Sequence, residues 1–169
     1  MKPEEKIILG LDPGFGRTGY AVLTGSKDAP RLIDYGLIET AADLKQAKRL
    51  ALVVQRVEKV INLHHPHIVA VEKVFFASNT KTALQVGEAR GALLVTLEKY
   101  KLPILEYTPP QVKLAVTGDG KADKKQIQKM LQLIFHLPQP IKSDDAADAV
   151  AIALCALSRQ VLDTQIVLN

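Results

Sequence analysis

The order in which the hydrophobic period changes along the chain restricts the fold more than any other feature of the sequence. Three strand-like segments come first, and the connections between them are too short to hold a helix. Later segments alternate between the period of an amphipathic helix and short apolar runs of strand length. The predicted strands are 6–11, 20–24, 31–39, 68–72 and 103–106, and the predicted helices are 43–63, 78–100, 124–135 and 143–162, with a helical turn over 109–116. This order predicts an α/β fold in which an antiparallel meander continues into parallel strands.

Right-handed crossover connections would place the first and fourth strands side by side. The predicted result is a five-stranded mixed sheet flanked by helices, which is the architecture of the ribonuclease H-like fold. A length of 169 residues fits one such domain, with a core over about 6–160 and a short C-terminal tail over 161–169.

Composition and charge restrict the class of protein only weakly. The net charge of +4 at pH 7 permits an anionic partner such as nucleic acid without requiring one. Cys155 is the one cysteine, which excludes an intrachain disulfide, and its apolar neighbours predict a small buried side chain. No apolar run approaches the roughly 20 residues of a membrane span, and the charged N-terminus is unlike a signal peptide. We therefore expect a cytoplasmic protein without a membrane partner.

Carboxylates end two of the predicted strands. Asp12 and Glu72 each follow an apolar run, so neighbouring strands would bring both to the edge of the sheet where sites usually form. The start of the last predicted helix adds Asp145 and Asp148, which are three residues apart and therefore face the same way. The two alanines between them are small enough for that end of the helix to approach the sheet.

Four carboxylates at one point repel each other and need a compensating cation, and hard oxygen ligands suit Mg²⁺ or Mn²⁺. Two such ions roughly 3.5–4 Å apart can support phosphodiester hydrolysis. Each residue also has a plain structural explanation. Asp145 can stabilise a helix N-terminus, Asp12 can belong to a turn, and Glu72 can pair with a lysine. The acidic positions together indicate a metal site, although their spacing alone is a moderate signal.

The sequence over 14–19 matches the pattern G-x-G-x-x-G. A dinucleotide-binding loop should open a helix directly after its strand, whereas residues 20–24 are predicted to form another strand. Actin-like ATPases and sugar kinases also carry acidic, glycine-rich loops between strands, but they need a second large domain for which this chain is too short. The motif is therefore not expected to bind a nucleotide.

A series of motifs resembles the RuvC-type Holliday junction resolvases over about residues 7–157. In chain order they are LDPG at 11–14, TGY at 18–20, VEKVF at 71–75, GEARG at 87–91, QVK at 111–113 and DDAADA at 144–149. Each motif is weak alone, but the set in this order is highly specific. The resemblance implies a homodimer that resolves four-way DNA junctions in homologous recombination and DNA repair by nicking two opposed strands. It also implies Mg²⁺ as cofactor, with Mn²⁺ as a substitute and one or two ions per subunit, and the branch-migration proteins RuvA and RuvB as partners.

The resemblance assigns the catalytic, metal-binding set to Asp12, Glu72, Asp145 and Asp148. Asp144 lies beside that pattern and is less favoured as a ligand than these four, so whether it joins the site stays open. In some relatives a histidine matches the position of Asp145, so the identity of that ligand tolerates exchange.

The resemblance and the distribution of charge also predict residues that contact DNA. Phe75 matches an aromatic that stacks on a base of the junction, a contact worth about 1–3 kcal/mol. Alternation along an extended segment would point one of Phe75 and Phe76 outward and pack the other. The remaining predicted contacts are Lys113 and Lys124 near the scissile phosphate, Lys121 and Lys125 with Lys129 along a basic helix, and Lys81 and Arg90 on the second long helix. For each of the three basic-helix lysines taken singly, a solvated helix face is slightly favoured, and Lys81 and Arg90 can alternatively pair with Glu88.

Gly87 and Gly91 lie four residues apart on one face of the second long helix. Glycine inside a helix costs about 1 kcal/mol relative to alanine, so close approach of another backbone is a reason for it. Two readings stay open, a tight contact with the sheet of the same subunit and a subunit interface. The tail over 161–169 holds no lysine or arginine, whereas some relatives have a basic tail there.

Two other functions are consistent with part of the sequence. A ribonuclease H-like nuclease acting on RNA or an RNA–DNA hybrid would use the same carboxylates, but a monomeric one has no need of Phe75 or the glycine-rich helix. A non-catalytic junction-binding module would lack the acidic cluster, because carboxylates oppose phosphate binding unless a metal is present.

Overall fold

The structure, a computed structural model, describes residues 5–73 and 80–166. Its five strands form one mixed sheet in the order β3-β2-β1-β4-β5. The strands are β1 (Ile8–Pro13), β2 (Arg17–Gly25), β3 (Pro30–Glu39), β4 (Ile68–Glu72) and β5 (Ile104–Tyr107). The first three are antiparallel, while β4 is parallel to both β1 and β5. The predicted fold class, the meander and the adjacency of the first and fourth strands are confirmed.

Helices cover both faces of the sheet. They are α1 (Gln46–His64), α2 (Thr80–Lys99), α3 (Pro109–Thr117), α4 (Lys124–Ile134) and α5 (Asp144–Ile166). Because side chains alternate along a strand, Leu9 packs with α1 and α2 while Ile8 packs with α3, α4 and α5. Cys155 is fully buried in the hydrophobic cluster that Ile8 forms with α3, α4 and α5, as predicted. None of the described helices is long and apolar enough to cross a membrane.

Several element boundaries predicted from the sequence differ from those in the structure. β1 does not end at Asp12, because Asp12 pairs with Gly19 and Pro13 pairs with Thr18 in an antiparallel hairpin. Proline is tolerated at the end of a strand, where its missing N–H is not needed by the ladder. The predicted turn over 109–116 is a nine-residue helix, which prolines at its first positions and a capping box at Thr108 stabilise.

The glycines of α2 face open space. An added Cβ at Gly87 or Gly91 would meet no described atom within 4 Å, so a tight contact with the sheet of the same subunit is not the reason for them. Leu84 and Val95, on the same side of the helix by their spacing, are each 72% exposed. These four residues form a stripe of small and apolar side chains, called the α2 stripe below, that no described part of the chain covers.

Candidate active site

The beginning of α5 lies almost directly on the backbone of β1 and β2. A Cβ on Gly19 would lie 1.8 Å from the carbonyl oxygen of Asp145, and one on Gly10 would lie 2.3 Å from the carbonyl oxygen of Ala149. Ala146 is 2% exposed at this contact. Such an approach needs glycine on the strands and alanine on the helix. The prediction that small residues bring this end of α5 onto the sheet is confirmed.

The same edge of the sheet carries the strand-end carboxylates. The last residue pair of the parallel β1–β4 ladder directly precedes Asp12 and Glu72, so the two lie side by side. Burial, together with the negative charges of Asp148, Glu72 and Asp145, raises the pKa of Asp12 to about 8. The structure therefore brings Glu72, Asp145 and Asp148 within electrostatic reach of Asp12.

Burial also dominates at two other members of this cluster. It raises the pKa of Glu72, with Asp148 adding to the effect, and it raises the pKa of Asp148. Lys113 opposes both shifts, and Lys124 opposes the shift at Asp148. A bound divalent cation would favour the charged form of every carboxylate here, so this donor set fits a hard metal ion chemically.

The carboxylates do not yet form a coordination shell. Among the residues that the structure describes, no three acidic, histidine or cysteine side chains converge as a metal-binding group. Asp145 is engaged elsewhere, because its Oδ2 lies 2.9 Å from Nε of Arg17. Arg17 also lies 3.7 Å from Glu39 Oε1. Metal binding would require Asp145 to share or leave the pair with Arg17, a residue that sequence reasoning missed.

Asp144 points to different partners from its neighbour. Its Oδ1 accepts a hydrogen bond from Nε2 of Gln128 at 2.9 Å, and its Oδ2 lies 3.5 Å from Nζ of Lys124. Asp144 nevertheless lies close enough to the cluster for its charge to add to the raised pKa of Asp148, so its lower rank as a ligand stays a prediction.

Two of the predicted lysines lie at the cluster. Lys113 of α3 influences the pKa of Glu72 and of Asp148. Partial burial works against the charge of Lys124, but Asp148 and Asp144 outweigh it and raise its pKa, so Lys124 stays protonated. Both lysines thus place positive charge beside the carboxylates.

The other predicted DNA contacts are spread more widely. Lys121 and Lys125 are exposed around the start of α4. Arg90 pairs with Glu106 of β5, and Glu88 instead accepts a hydrogen bond from Gln46 at 3.0 Å. Phe75, Phe76 and the side chain of Lys81 lie outside the described residues.

The first half of the G-x-G-x-x-G motif, residues 14–16, connects β1 to β2, and its second half, residues 17–19, begins β2. A strand rather than a helix therefore follows the loop, as predicted. Its Phe15 ring lies under the guanidinium of Arg49, with 4.4 Å between the guanidinium carbon and the ring centroid. Arg49 is buried near the start of α1 and is a second residue that sequence reasoning missed. Arg49 comes beside Phe15 only when α1 packs against the folded β1–β2 hairpin.

Comparison with known proteins decides the family. The family model described as crossover junction endodeoxyribonuclease RuvC matches residues 8–156. The chain belongs to the RuvC family. The crossover junction endodeoxyribonuclease RuvC of Petrotoga mobilis is 49% identical over 149 residues, which cover 88% of this chain and 91% of that protein. Nucleases of the RuvC family are metal-dependent.

Solved structures agree with this membership. Thermus thermophilus RuvC in complex with a Holliday junction substrate matches with a TM-score of 0.88 and 31% identity, covering 94% of this chain and 97% of that one. The yeast mitochondrial Holliday junction resolvase Ydc2 matches with a TM-score of 0.68 and 15% identity over 94% and 80% of the two chains, a likeness of fold alone. The ribonuclease H-like architecture predicted from the order of elements is confirmed.

Proposed function

We propose that this chain is a Holliday junction resolvase, a hydrolytic nuclease that nicks two opposed strands of a four-way DNA junction in homologous recombination and repair. The observation that carries the proposal is the half-buried carboxylate cluster at one edge of the sheet, in a chain that matches the RuvC family over residues 8–156. Thermus thermophilus RuvC, of the same fold, has been solved with a Holliday junction substrate.

Asp12, Glu72, Asp145 and Asp148 are the proposed catalytic, metal-binding set, holding one or two Mg²⁺ ions per subunit, with Mn²⁺ as a substitute. When bound, such an ion supplies Lewis acidity for phosphodiester hydrolysis. Asp12, Glu72 and Asp148 must give up the protons that burial favours, since only the carboxylate form binds a cation.

Lys113 and Lys124 are proposed to hold the scissile phosphate and to balance the negative charge that develops on it. Both lie close enough to the carboxylates for their charges to interact. Phe75 is proposed to stack on a base at the junction, and Lys81, Lys121 and Lys125 to contact the flanking phosphates. Arg90 would join them only by leaving Glu106.

A homodimer is proposed as the active form, joined through the α2 stripe. The open space beside Gly87 and Gly91 permits the backbone of a second subunit to approach, and the exposed Leu84 and Val95 would be buried there. A two-fold dimer presents two equal sites, which suits a junction that is itself nearly two-fold symmetric. Partnership with RuvA and RuvB, a cytoplasmic location and a single nuclease domain over 1–169 are proposed on the family resemblance.

A cutting assay on a synthetic mobile four-way junction tests the proposal. We expect symmetric nicked duplexes with Mg²⁺, no product with EDTA, and none from Asp12→Asn. Asp43→Asn, which removes an exposed carboxylate outside the cluster, is the matched control and should cut normally. Binding without cutting would favour a junction-binding module, and cutting of an RNA–DNA hybrid but not of the junction would favour a different nuclease of this fold.

A further inference from the structure

The loop over 14–16, which directly follows the strand that carries Asp12, is fastened by a chain of contacts from two other elements. Thr40, just beyond β3, donates to the carbonyl oxygen of Gly16 from its backbone N–H at 3.0 Å and from its hydroxyl at 3.3 Å. Nε of Arg49 donates to the same Thr40 hydroxyl at 3.0 Å. The loop, the end of β3 and the start of α1 are thereby joined at one point.

The guanidinium of Arg49 is enclosed at this point. Arg49 is 9% exposed, Phe15 covers one face of its guanidinium, and the backbone of Gly16 lies against its edge. A Cβ on Gly16 would lie 1.9 Å from Nη2 of Arg49, and its φ of +77° also favours glycine. Gly16 is the second glycine of the G-x-G-x-x-G motif. A glycine is needed there because any side chain would collide with the guanidinium of Arg49.

Arg49 has no acidic partner within the described chain, since none of the ion pairs there includes it. Burying a cation without a counter-charge is unfavourable for folding, and a well-packed apolar side chain would usually serve stability better. The contacts that Arg49 does make all fix the loop. A buried arginine that lowers stability in this way indicates a role in the site beside the loop.

We propose that Arg49 is a positioning residue for Asp12. Pro13, buried and paired with Thr18, is the one residue between Asp12 and the loop, so a displaced loop would act on Asp12 across a single residue. Arg49 acts by clamping Phe15 and Gly16, which keeps Asp12 facing Glu72 and Asp148. This inference rests on the proposed function, because it assigns Asp12 to the metal-binding set.

Four variants separate this role from general stability. Arg49→Lys keeps the charge but loses the flat guanidinium, and Phe15→Leu removes the ring. Phe15→Trp keeps an aromatic face for the guanidinium of Arg49 and should retain native function. Arg56→Lys is the matched control, because Arg56 also lies on α1 and donates to the backbone oxygen of Glu39 at 3.2 Å, but it is exposed.

Two measurements decide the proposal: single-turnover cutting of the mobile junction across Mg²⁺ concentrations, and Mn²⁺ binding to the DNA-free protein by calorimetry. We expect Arg49→Lys and Phe15→Leu to weaken metal binding and slow cutting by about 10–100-fold, the usual loss when a supporting contact of a ligand is removed. Junction affinity in EDTA should stay within about twofold of native, because the loop acts through the metal site rather than through phosphate contacts. Phe15→Trp and Arg56→Lys should behave like the native protein.

Native metal affinity in both Arg49→Lys and Phe15→Leu would overturn the proposal. So would a loss of junction affinity in EDTA well beyond twofold in Arg49→Lys, since Arg49 would then contact DNA directly. If Arg49→Lys does not fold, Phe15→Leu decides, because that ring is only partly buried in a surface loop. If the native protein cuts no junction, the proposed function fails, but Mn²⁺ binding still tests Arg49.

Discussion

The pKa of Asp12 links the stability of the protein to its chemistry. Burial and three neighbouring carboxylates raise this pKa from 3.8 to about 8, so the folded protein holds a proton that the unfolded chain releases near pH 4. The free energy of unfolding therefore falls as the pH rises from about 4 to 8. An acidic residue that destabilises its own fold is typical of a functional site.

Replacing Asp12 with asparagine should stabilise the metal-free protein at high pH. We expect the melting temperature of Asp12→Asn to match that of the native protein near pH 4 and to exceed it at pH 8–9. The gain should be at least about 1 kcal/mol, or roughly 2–4 °C for a chain of this length. Thermal melts in EDTA across this range provide the measurement. A constant difference at all pH values would mean that Asp12 does not titrate as described, and Asp43→Asn should show no pH-dependent gain.

Asp144 and Asp145 offer a comparison between adjacent carboxylates on one helix. Asp145 contributes to the raised pKa of Asp12, whereas Asp144 is held by Gln128 and Lys124. We expect Asp145→Asn to reduce Mg²⁺-dependent cutting by about 100-fold or more, as loss of a metal ligand in the transition state does. Asp144→Asn should stay within a few-fold of native in the same single-turnover assay. Equal losses would place Asp144 in the metal-binding set.

At the scale of elements, the sequence predicted what depends on local pattern and handedness. Strand-length apolar runs ending in Asp12 and Glu72, together with right-handed crossovers, were sufficient to place the two carboxylates side by side. Arg17 and Arg49 could not be predicted in this way. Arg17 begins β2 only because the hairpin extends through Pro13, and Arg49 meets Phe15 only after α1 has packed on the sheet. Both depend on register and packing, which hydrophobic periodicity does not encode.

The contact between α5 and β2 gives a prediction at this scale. An added methyl group at Gly19 would collide with backbone at 1.8 Å, which cannot rotate away as a side chain can. We expect Gly19→Ala to lower the free energy of unfolding by about 1–3 kcal/mol through overpacking. It should also weaken Mn²⁺ binding, because α5 would carry Asp145 and Asp148 away from Asp12.

Denaturant melts and calorimetry provide the two readouts for Gly19→Ala. Gly120→Ala is the matched control, since its Cβ would find no described atom closer than 3.4 Å. Native stability in Gly19→Ala would mean that α5 can shift at little cost. Native metal affinity with reduced stability would instead separate the packing of α5 from the geometry of the cluster.

At the scale of the whole molecule, the carboxylate cluster and the α2 stripe belong to different parts of the fold. The carboxylates gather where β1, β4 and the start of α5 meet, while α2 covers the opposite face of the sheet from α5. Pairing two copies through α2 would therefore leave both carboxylate clusters uncovered. One symmetric contact would then give two active sites on one rigid body, so that paired cutting follows from geometry.

Replacing Gly87 with leucine should separate dimerisation from catalysis. The side chain would fill the open space beside α2, where it would block a second subunit, while the exchange itself favours the helix by about 1 kcal/mol. We expect Gly87→Leu to sediment as a monomer, and Thr82→Leu, which is exposed elsewhere on α2, to remain a dimer. On a supercoiled plasmid with an extruded cruciform, the dimer should give linear product by paired cuts. The monomer should give nicked circles, because the first nick releases the supercoiling before a second subunit arrives. An unchanged dimer would exclude the α2 stripe as the interface, and linear product from a true monomer would mean that paired cutting does not need the dimer.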